Sequence, residues 1–419
     1  MHVVVAGGGL AGLVAARHLA EAGAEVELFE ERERVGGRVR SRTVDGYTLD
    51  RGFQVLFTAY PAARRELDYD ALDLRRFAPG ATIARPNHRS TLADPVGDPG
   101  ATLPTLLNRD VRTADKLRLF RLRRGLKRRT WEDVLDGGDA TIREYLAEHG
   151  FSTAFVERFA APFYGGITLD RSLGTSSAVF EYTFKALSEG DTVVPAGGMG
   201  EIPAQLGARA EAAGATIETG VAVTGVDTTA DTPTVETRSG TRSPDAVVVA
   251  TDPRTAAELT DVGTPTGGRS CVTVHCSLPE HQVLDTGSRI VLNAADAEPN
   301  TVAPMSAAAP EYAPEGRQLL SATFLGSRPE PDDELAGIVR DALSAWFPEH
   351  HFGGFEAVGV DRIEFAQFEQ PPGFRDAVPT VDSPDSPVFV AGDYTEWSSI
   401  QGALKSGRRA AEAVLRDRT

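Results

Sequence analysis

The chain opens on an unbroken apolar run, Val3–Ala6, the pattern of a strand buried on both faces. A glycine-rich turn follows. Apolar residues then recur at helical spacing from Leu13 to Ala22, until Gly23 stops the helix, and Glu25–Glu30 reads as the next strand. The same alternation returns twice. Ile202–Ala213 reads as a helix stopped by Gly214, followed by strands at Thr216–Glu218, Val221–Val226 and Ala246–Ala250. Near the other end a short apolar strand, Pro387–Ala391, leads into a helix from about Gln401 to Arg416.

Two stretches of different character separate these units. Residues from about 90 to 190 read as mostly helical. Residues from about 265 to 365 read as mixed, with strands such as Leu319–Leu325. The Pro/Gly-rich segments Pro253–Gly268 and Gln370–Pro387 make natural crossings. No internal repeat is apparent. The pattern predicts an α/β protein, α+β taken as a whole. Its Rossmann-like nucleotide-binding domain is assembled from residues 1–88, 190–262 and 366–419. An interleaved substrate domain is built from 89–189 and 263–365, and the cleft between the two is the expected active site.

A length of 419 residues agrees with two structural units. With 41% hydrophobic and 25% charged residues, and no run approaching ~18 apolar positions, the chain reads as a soluble globular protein. The first strand begins at His2, which leaves no room for a signal peptide, so a cytoplasmic location is expected. Sixty acidic residues against 43 basic give a net charge of −17, and only four of the basic residues are lysine. Such a surface suits strong salt and a halophilic source, and it argues against nucleic acid as a partner. Cys271 and Cys276 stand an odd number of residues apart in a strand-like run, on opposite faces, so neither a disulfide nor a metal site is expected.

The turn Gly7-Gly8-Gly9-Leu10-Ala11-Gly12 carries the clearest chemistry. Gly7, Gly9 and Gly12 stand at the G-x-G-x-x-G positions between a strand and a helix. The first permits the tight turn, the second lets backbone approach a pyrophosphate, and the third brings helix close to strand. Leu10 and Ala11 open a helix whose N–H groups and positive dipole face the phosphates. Glu30 ends the second strand, where a carboxylate can take ribose hydroxyls, with Glu31 the alternative by register. This constellation specifies a dinucleotide; alone it does not choose between NAD and FAD.

Farther along come Gly36-Gly37-Arg38, Asp50-Arg51-Gly52-Phe53-Gln54, Val388-Phe389-Val390-Ala391-Gly392-Asp393 and Ser399-Ile400-Gln401-Gly402-Ala403-Leu404. With the glycine turn and Glu30, these resemble the flavin amine oxidase superfamily. That group embraces amine oxidases, protoporphyrinogen oxidases and phytoene-type desaturases. The resemblance covers roughly half the chain and implies FAD as cofactor. It puts Gly36, Gly37 and Arg38 along the pyrophosphate and ribityl chain. It makes Asp393, after Gly392, an acceptor for ribityl or phosphate-side groups. The helix N-terminus at Ile400, Gln401 and Ala403 then falls beside the flavin N1 and C2 oxygen, with Gly402 and Ala403 small enough for close approach. Gly52, Phe53 and Gln54 fall near the ring. Val223 lies against adenine by register, with Val221 the fallback. Pro195-Ala196-Gly197-Gly198-Met199-Gly200 resembles a family turn near the flavin.

Such a flavin accepts a hydride from a carbon beside nitrogen or from an allylic carbon, so no protein nucleophile is required. No catalytic residue stands out in the sequence. Trp397 or Tyr394 is a candidate for an aromatic frame around an amine. Yet Ser399-Ile400 lacks the aromatic that amine oxidases tend to show before the last helix, while Pro162-Phe163-Tyr164-Gly165-Gly166-Ile167 looks closer to desaturase-like members. The expected activity is a dehydrogenase or desaturase acting on a hydrophobic, isoprenoid-like small molecule. The alternatives are an amine oxidase making imine and peroxide, a non-redox FAD-dependent isomerase, or a protein that holds FAD without turnover. Oxygen, quinone and NAD(P) leave no separate signature as electron acceptor. Ten of the residues from Arg109 to Arg129 are Arg or Lys, interleaved with Val111, Ala114, Leu117, Leu122 and Leu126. A basic amphipathic helix of this kind suits peripheral contact, through residues 109–129, with the inner face of a membrane.

Overall fold

The computed structural model describes residues 1–93, 108, 110–137, 140–227, 232–384 and 387–417. Three separated stretches of chain build one five-stranded parallel sheet. Its order is Thr216–Thr219, Glu25–Glu30, His2–Ala6, Ala246–Val249 and Val388–Val390. Val3–Ala6 and Ala246–Val249 are wholly buried, as continuous apolar strands covered on both faces must be. The mixed α/β fold expected from the sequence is the fold observed.

Helices Leu10–Glu21 and Ile400–Asp417 lie side by side over this sheet, and Glu201–Ala212 flanks the first of them. Their approach is very close. A Cβ added at Gly407 would sit 2.2 Å from the Ala11 carbonyl oxygen. That contact joins the first helix of the chain to the last.

The second sheet has seven strands in the order Glu356–Phe368, Gly268–Pro279, Arg317–Leu325, Thr301–Pro304, Ile290–Asn293, Ala81–Arg85 and His88–Leu92. The hairpin Ala81–Leu92 therefore belongs to this sheet, although the sequence pattern places residues up to 88 with the nucleotide-binding part. Helix Asp332–Trp346 packs on one face, over Val272, Val274, Cys276, Ala322 and Phe324. The opposite face turns Cys271, Thr273 and His275 the other way. The two thiols are thus unpaired and face opposite sides, as their odd spacing requires.

Helices Thr113–Leu126, Ile142–Glu148, Ala161–Thr168 and Ser177–Glu189 fill the mostly helical stretch. The basic segment forms the first of these; Arg109 lies outside the described residues. Its apolar face is divided differently from the sequence expectation. Val111 and Leu126 are buried, and Leu122 is half-buried against the core, whereas Leu117 and Phe120 are 54% and 62% exposed. Asp115 anchors the helix from within, accepting from the Ser152 N–H and hydroxyl at 2.9 and 2.6 Å. Among the described residues no helix is long and apolar enough to cross a membrane.

Gly407→Ala should force the first and last helices apart and lower stability by about 1–3 kcal/mol. Gly337→Ala is the control: it lies inside helix Asp332–Trp346 with nothing within 4 Å of the new Cβ. That change should raise stability by about 0.5–1 kcal/mol. Chemical denaturation of both variants separates the two effects.

Candidate active site

A cavity of about 1430 Å³ runs from the carboxyl ends of the parallel strands to the helical wall. Gly9 caps helix Leu10–Glu21 without any side-chain hydrogen bond, and nothing lies within 4 Å of where its Cβ would point. Gly7, Gly9, Leu10 and Ala11 all line the cavity, so the positive end of the helix opens onto it. Gly7 sits at φ +107°, and a Cβ there would meet the Ala250 oxygen at 2.7 Å. Gly12 is placed differently. Its Cβ would fall 2.0 Å from the Gly7 oxygen, so its absence lets helix and strand close while the residue itself stays off the lining.

Glu30 is buried at the cavity wall. Its Oε2 accepts from the Gly8 N–H at 2.8 Å and its Oε1 from the Arg32 N–H at 3.1 Å. The carboxylate is thereby held rigid with lone pairs left over for hydroxyl donors. Glu31 lines the same rim but is exposed and paired with Arg32 at 3.0 Å. Val223 reaches the cavity, whereas Val221 spends its N–H on the Glu30 carbonyl at 2.9 Å.

Gly36 and Gly37, at φ +129° and +59°, bring the next turn against Gly9. Arg38 follows, and its guanidinium is ion-paired with Asp393, 355 residues away, while also donating to the Ala366 carbonyl at 3.2 Å. Burial works against the Arg38 charge, but the Asp393 carboxylate more than offsets it and holds the group above its ordinary pKa. The Ser398 hydroxyl donates to the other Asp393 oxygen at 2.8 Å. Arg38, Gly392 and Asp393 all line the cavity. Gly392 is required by Tyr394, whose ring would lie 2.2 Å from a Cβ there.

Gly52, at φ +82°, and Phe53 and Gln54 also reach the lining. The Gln54 amide donates to the Arg38 and Arg51 carbonyls at 3.0 and 3.1 Å, so it braces the Gly-Gly-Arg turn. Pro195–Gly200 stays off the lining and acts behind it: the Met199 N–H donates to Asp50 and the Gly200 N–H to Ser41, both at 2.8 Å. At the last helix, Ile400 and Ala403 face the cavity. Gln401 does not; its side chain accepts from the Ala62 N–H at 2.8 Å. At Gly402 a Cβ would fall 2.1 Å from the Trp397 carbonyl oxygen, so the chain itself already demands a glycine there.

The other half of the cavity is apolar. Phe159, Phe163, Tyr164, Ile167, Phe184 and Leu187 form the helical wall, with the Phe159 and Phe163 rings stacked 5.2 Å apart. Ile290, Leu292, Ile363 and Cys271 face them from the seven-stranded sheet. Burial pushes the Cys271 thiol to about 11, which leaves it neutral and unreactive near pH 7. Trp397 lines the cavity edge-on to Tyr60 at 6.0 Å, while Tyr394 is buried behind it.

Several lining residues escaped the sequence reading: Tyr60, Phe77, Ala250, Asp252 and the backbone of Ala366. Ala250 and Asp252 carried a usable signal, because they follow the strand Ala246–Val249 at the carboxyl edge of a parallel sheet, where ligands bind. Tyr60 and Ala366 carry none, since only tertiary folding brings them there.

A family model for flavin containing amine oxidoreductases matches residues 10–415. The chain belongs to that family. Its cofactor is FAD, and the open helix terminus, the rigid Glu30 carboxylate and the glycine turn at 36–37 fit such a dinucleotide; the protein is an FAD-dependent oxidoreductase. Among solved structures, an oxidoreductase from Methanosarcina mazei aligns over 98% of this chain and 100% of its own, with a TM-score of 0.73 at 19% identity. A putrescine oxidase aligns over 99% of both chains with a TM-score of 0.71 at 17% identity. At these identities the likeness is one of fold. Curated relatives share shorter stretches. The carotenoid 3,4-desaturase of Haloarcula japonica is 52% identical over 50 residues, 12% of this chain and 10% of the relative. The putrescine oxidase of Kocuria rosea is 58% identical over 52 residues, 12% of this chain and 11% of the relative. These matches span only about a tenth of the relatives' own length.

Replacing Arg38 by Met leaves the Asp393 carboxylate buried without its cation. The unfolding free energy should fall by about 3 kcal/mol, and the ratio of flavin to protein absorbance after gel filtration should drop several-fold. Undiminished FAD content would remove the pair from any part in holding the cofactor.

Proposed function

We propose that the protein is a dehydrogenase or desaturase that removes a hydride from a large hydrophobic substrate. The observation that carries this reading is the aromatic and aliphatic lining of the substrate half of the cavity, Phe159, Phe163, Phe184, Ile290 and Leu292. FAD, when bound, supplies the hydride acceptor. The chain's own work is to hold the substrate in a dry, shaped space and to keep competing water away. Of the acids around that half, Glu189 pairs with Lys185 at 2.7 Å and Asp191 with Arg76 at 2.5 Å, whereas Glu364, exposed at the lining, has no ion pair among the described residues and is the carboxylate an alkylammonium substrate would have to use.

The Tyr60–Trp397 edge-on pair supports a second reading, an amine oxidase that frames a small amine between two rings. Anaerobic mixing discriminates the two. Flavin absorbance should bleach on addition of a long polyene carrying an allylic C–H and stay unchanged with putrescine; bleaching by putrescine alone would reverse the assignment.

We further propose that helix Thr113–Leu126 rests on an anionic membrane surface, where such substrates partition. Leu117 and Phe120 line the cavity and are also its exposed apolar residues, beside exposed Arg121 and Arg124 on a chain of net charge −17. The holoprotein should float with liposomes containing anionic lipid at low salt and detach at high salt. Leu117→Ser/Phe120→Ser should lose most of the floated fraction; no flotation of the unaltered protein at low salt ends the idea.

A further inference from the structure

The tyrosines of this chain divide by where they stand. Tyr47, Tyr145, Tyr312 and Tyr394 lie off the cavity lining, and each spends its hydroxyl inside the protein. Their partners are the Ser277 hydroxyl at 2.6 Å, the Glu181 carboxylate at 2.7 Å, the Asp50 carboxylate at 2.9 Å and the Val249 carbonyl at 3.4 Å. Tyr60 lines the cavity and is only 5% exposed, yet its hydroxyl has no hydrogen-bond partner among the described residues. Trp397, 4% exposed on the same lining, likewise has an indole N–H without a partner among them. Buried Tyr and Trp ordinarily bond these polar ends, and phenylalanine would build the same wall without leaving one bare.

A lone polar group matters to a ligand only where the ligand can reach it. The Oγ1 atoms of Thr273 and Thr323 are unpaired as well, but they are sealed off and offer a ligand nothing. The Tyr60 hydroxyl and the Trp397 N–H are not sealed in this way, and both residues border the open space. Their rings stand edge-on, 6.0 Å apart with 86° between the planes. Tyr182 packs on both, at 6.1 Å from Tyr60 and 5.0 Å from Trp397, so a third ring fixes their spacing. Trp397 precedes the last helix, on the cofactor side. Tyr182 shares helix Ser177–Glu189 with Phe184, which belongs to the apolar wall. The pair therefore stands at the seam between the two halves of the cavity.

We infer that Tyr60 and Trp397 dock a carbonyl oxygen on an otherwise apolar ligand. The inference rests on the proposed hydrophobic-substrate reading and narrows it to lipophiles that carry a carbonyl. An indole N–H can only donate, and a phenol hydroxyl also donates, so the pair offers two donors to an oxygen with two lone pairs. An ammonium group brings only donors of its own and would leave the indole N–H bare. Burial holds the Tyr60 hydroxyl well above its ordinary pKa, so it keeps the proton it donates.

The test uses the FAD-loaded protein and two isoprenoid probes of equal shape: geranylacetone, a ketone, and the hydrocarbon in which a methylene group replaces its oxygen. Equilibrium dialysis gives both affinities. Tyr60→Phe should lower the ketone-to-hydrocarbon affinity ratio about fivefold, the worth of one buried hydrogen bond. Trp397→Phe should lower it by a similar factor, because the space it opens weakens both probes alike and leaves only the lost donor in the ratio. Tyr164→Phe removes the other unpaired tyrosine hydroxyl on the lining and should keep the ratio of the unaltered protein. Flavin absorbance after gel filtration reports whether each variant retains its cofactor. An unchanged ratio in either FAD-loaded variant, Tyr60→Phe or Trp397→Phe, overturns the carbonyl site and leaves the hydrophobic-substrate reading standing. Loss of FAD from Tyr60→Phe gives that hydroxyl to the cofactor and overturns the site equally. Binding of neither probe by the unaltered protein with its FAD in place overturns both.

Discussion

The ion pair between Arg38 and Asp393 is the contact on which the rest of the site depends. It joins a turn near the start of the chain to the strand end that precedes the last helix, and each partner is fixed from other directions. Gln54 braces the Arg38 carbonyl, Ser398 donates to Asp393, and the Ser406 hydroxyl accepts from the Gly392 N–H at 2.9 Å. A carboxylate as buried as Asp393 is costly without a cation. The pair is therefore the reason two segments 355 residues apart must meet in one register. The tight contact at Gly407 makes a second closure, between the first helix of the chain and the last. A dinucleotide site assembled this way forms only when the whole chain has folded.

The two sheets divide the remaining work by how their faces are covered. The central strands of the parallel sheet are buried on both sides, so they hold no chemistry along their length, and the sheet meets the cavity at its carboxyl ends, through Gly7, Glu30, Ala250 and Gly392. The seven-stranded sheet buries one apolar face under helix Asp332–Trp346, and its other face mixes polar residues such as His275 with Cys271, Ile290, Leu292 and Ile363, which line the cavity. Alternation along Cys271-Val272-Thr273-Val274-His275-Cys276 is the local cause. Every second residue of that strand belongs to the core under the helix, and those between turn to the other face, where Cys271 lines the cavity.

The parallel sheet and the glycine turn were legible because each rests on a local rule. An apolar run, a turn glycine and a helix stop are written within a few residues of one another. Gln401 and Gly402 show the limit of that legibility. Sequence position puts both beside the cofactor, yet Gln401 bonds the Ala62 backbone, and the want of a side chain at Gly402 is already demanded by the Trp397 carbonyl. A small or polar residue at a close approach reads the same whether the approaching atom belongs to a ligand or to the chain itself. The helix of residues 113–126 fails for a related reason. Periodicity finds apolar positions but not which of them faces the core: Leu122 and Leu126 pack inward, whereas Leu117 and Phe120 are exposed on the cavity lining.

Substrate choice lies in pairings rather than in residue types. Glu189 and Asp191 would mark an amine site if they stood free, and neutralisation by Lys185 and Arg76 removes that meaning. Thr273 and Thr323 would be unremarked strand residues if their hydroxyls were bonded to neighbours. What they have in common is visible only in three dimensions. A charged group with a partner already in place recognises little, because binding must first break that pair. A buried polar group without one discriminates strongly, because only a ligand that satisfies it avoids the cost of leaving it bare.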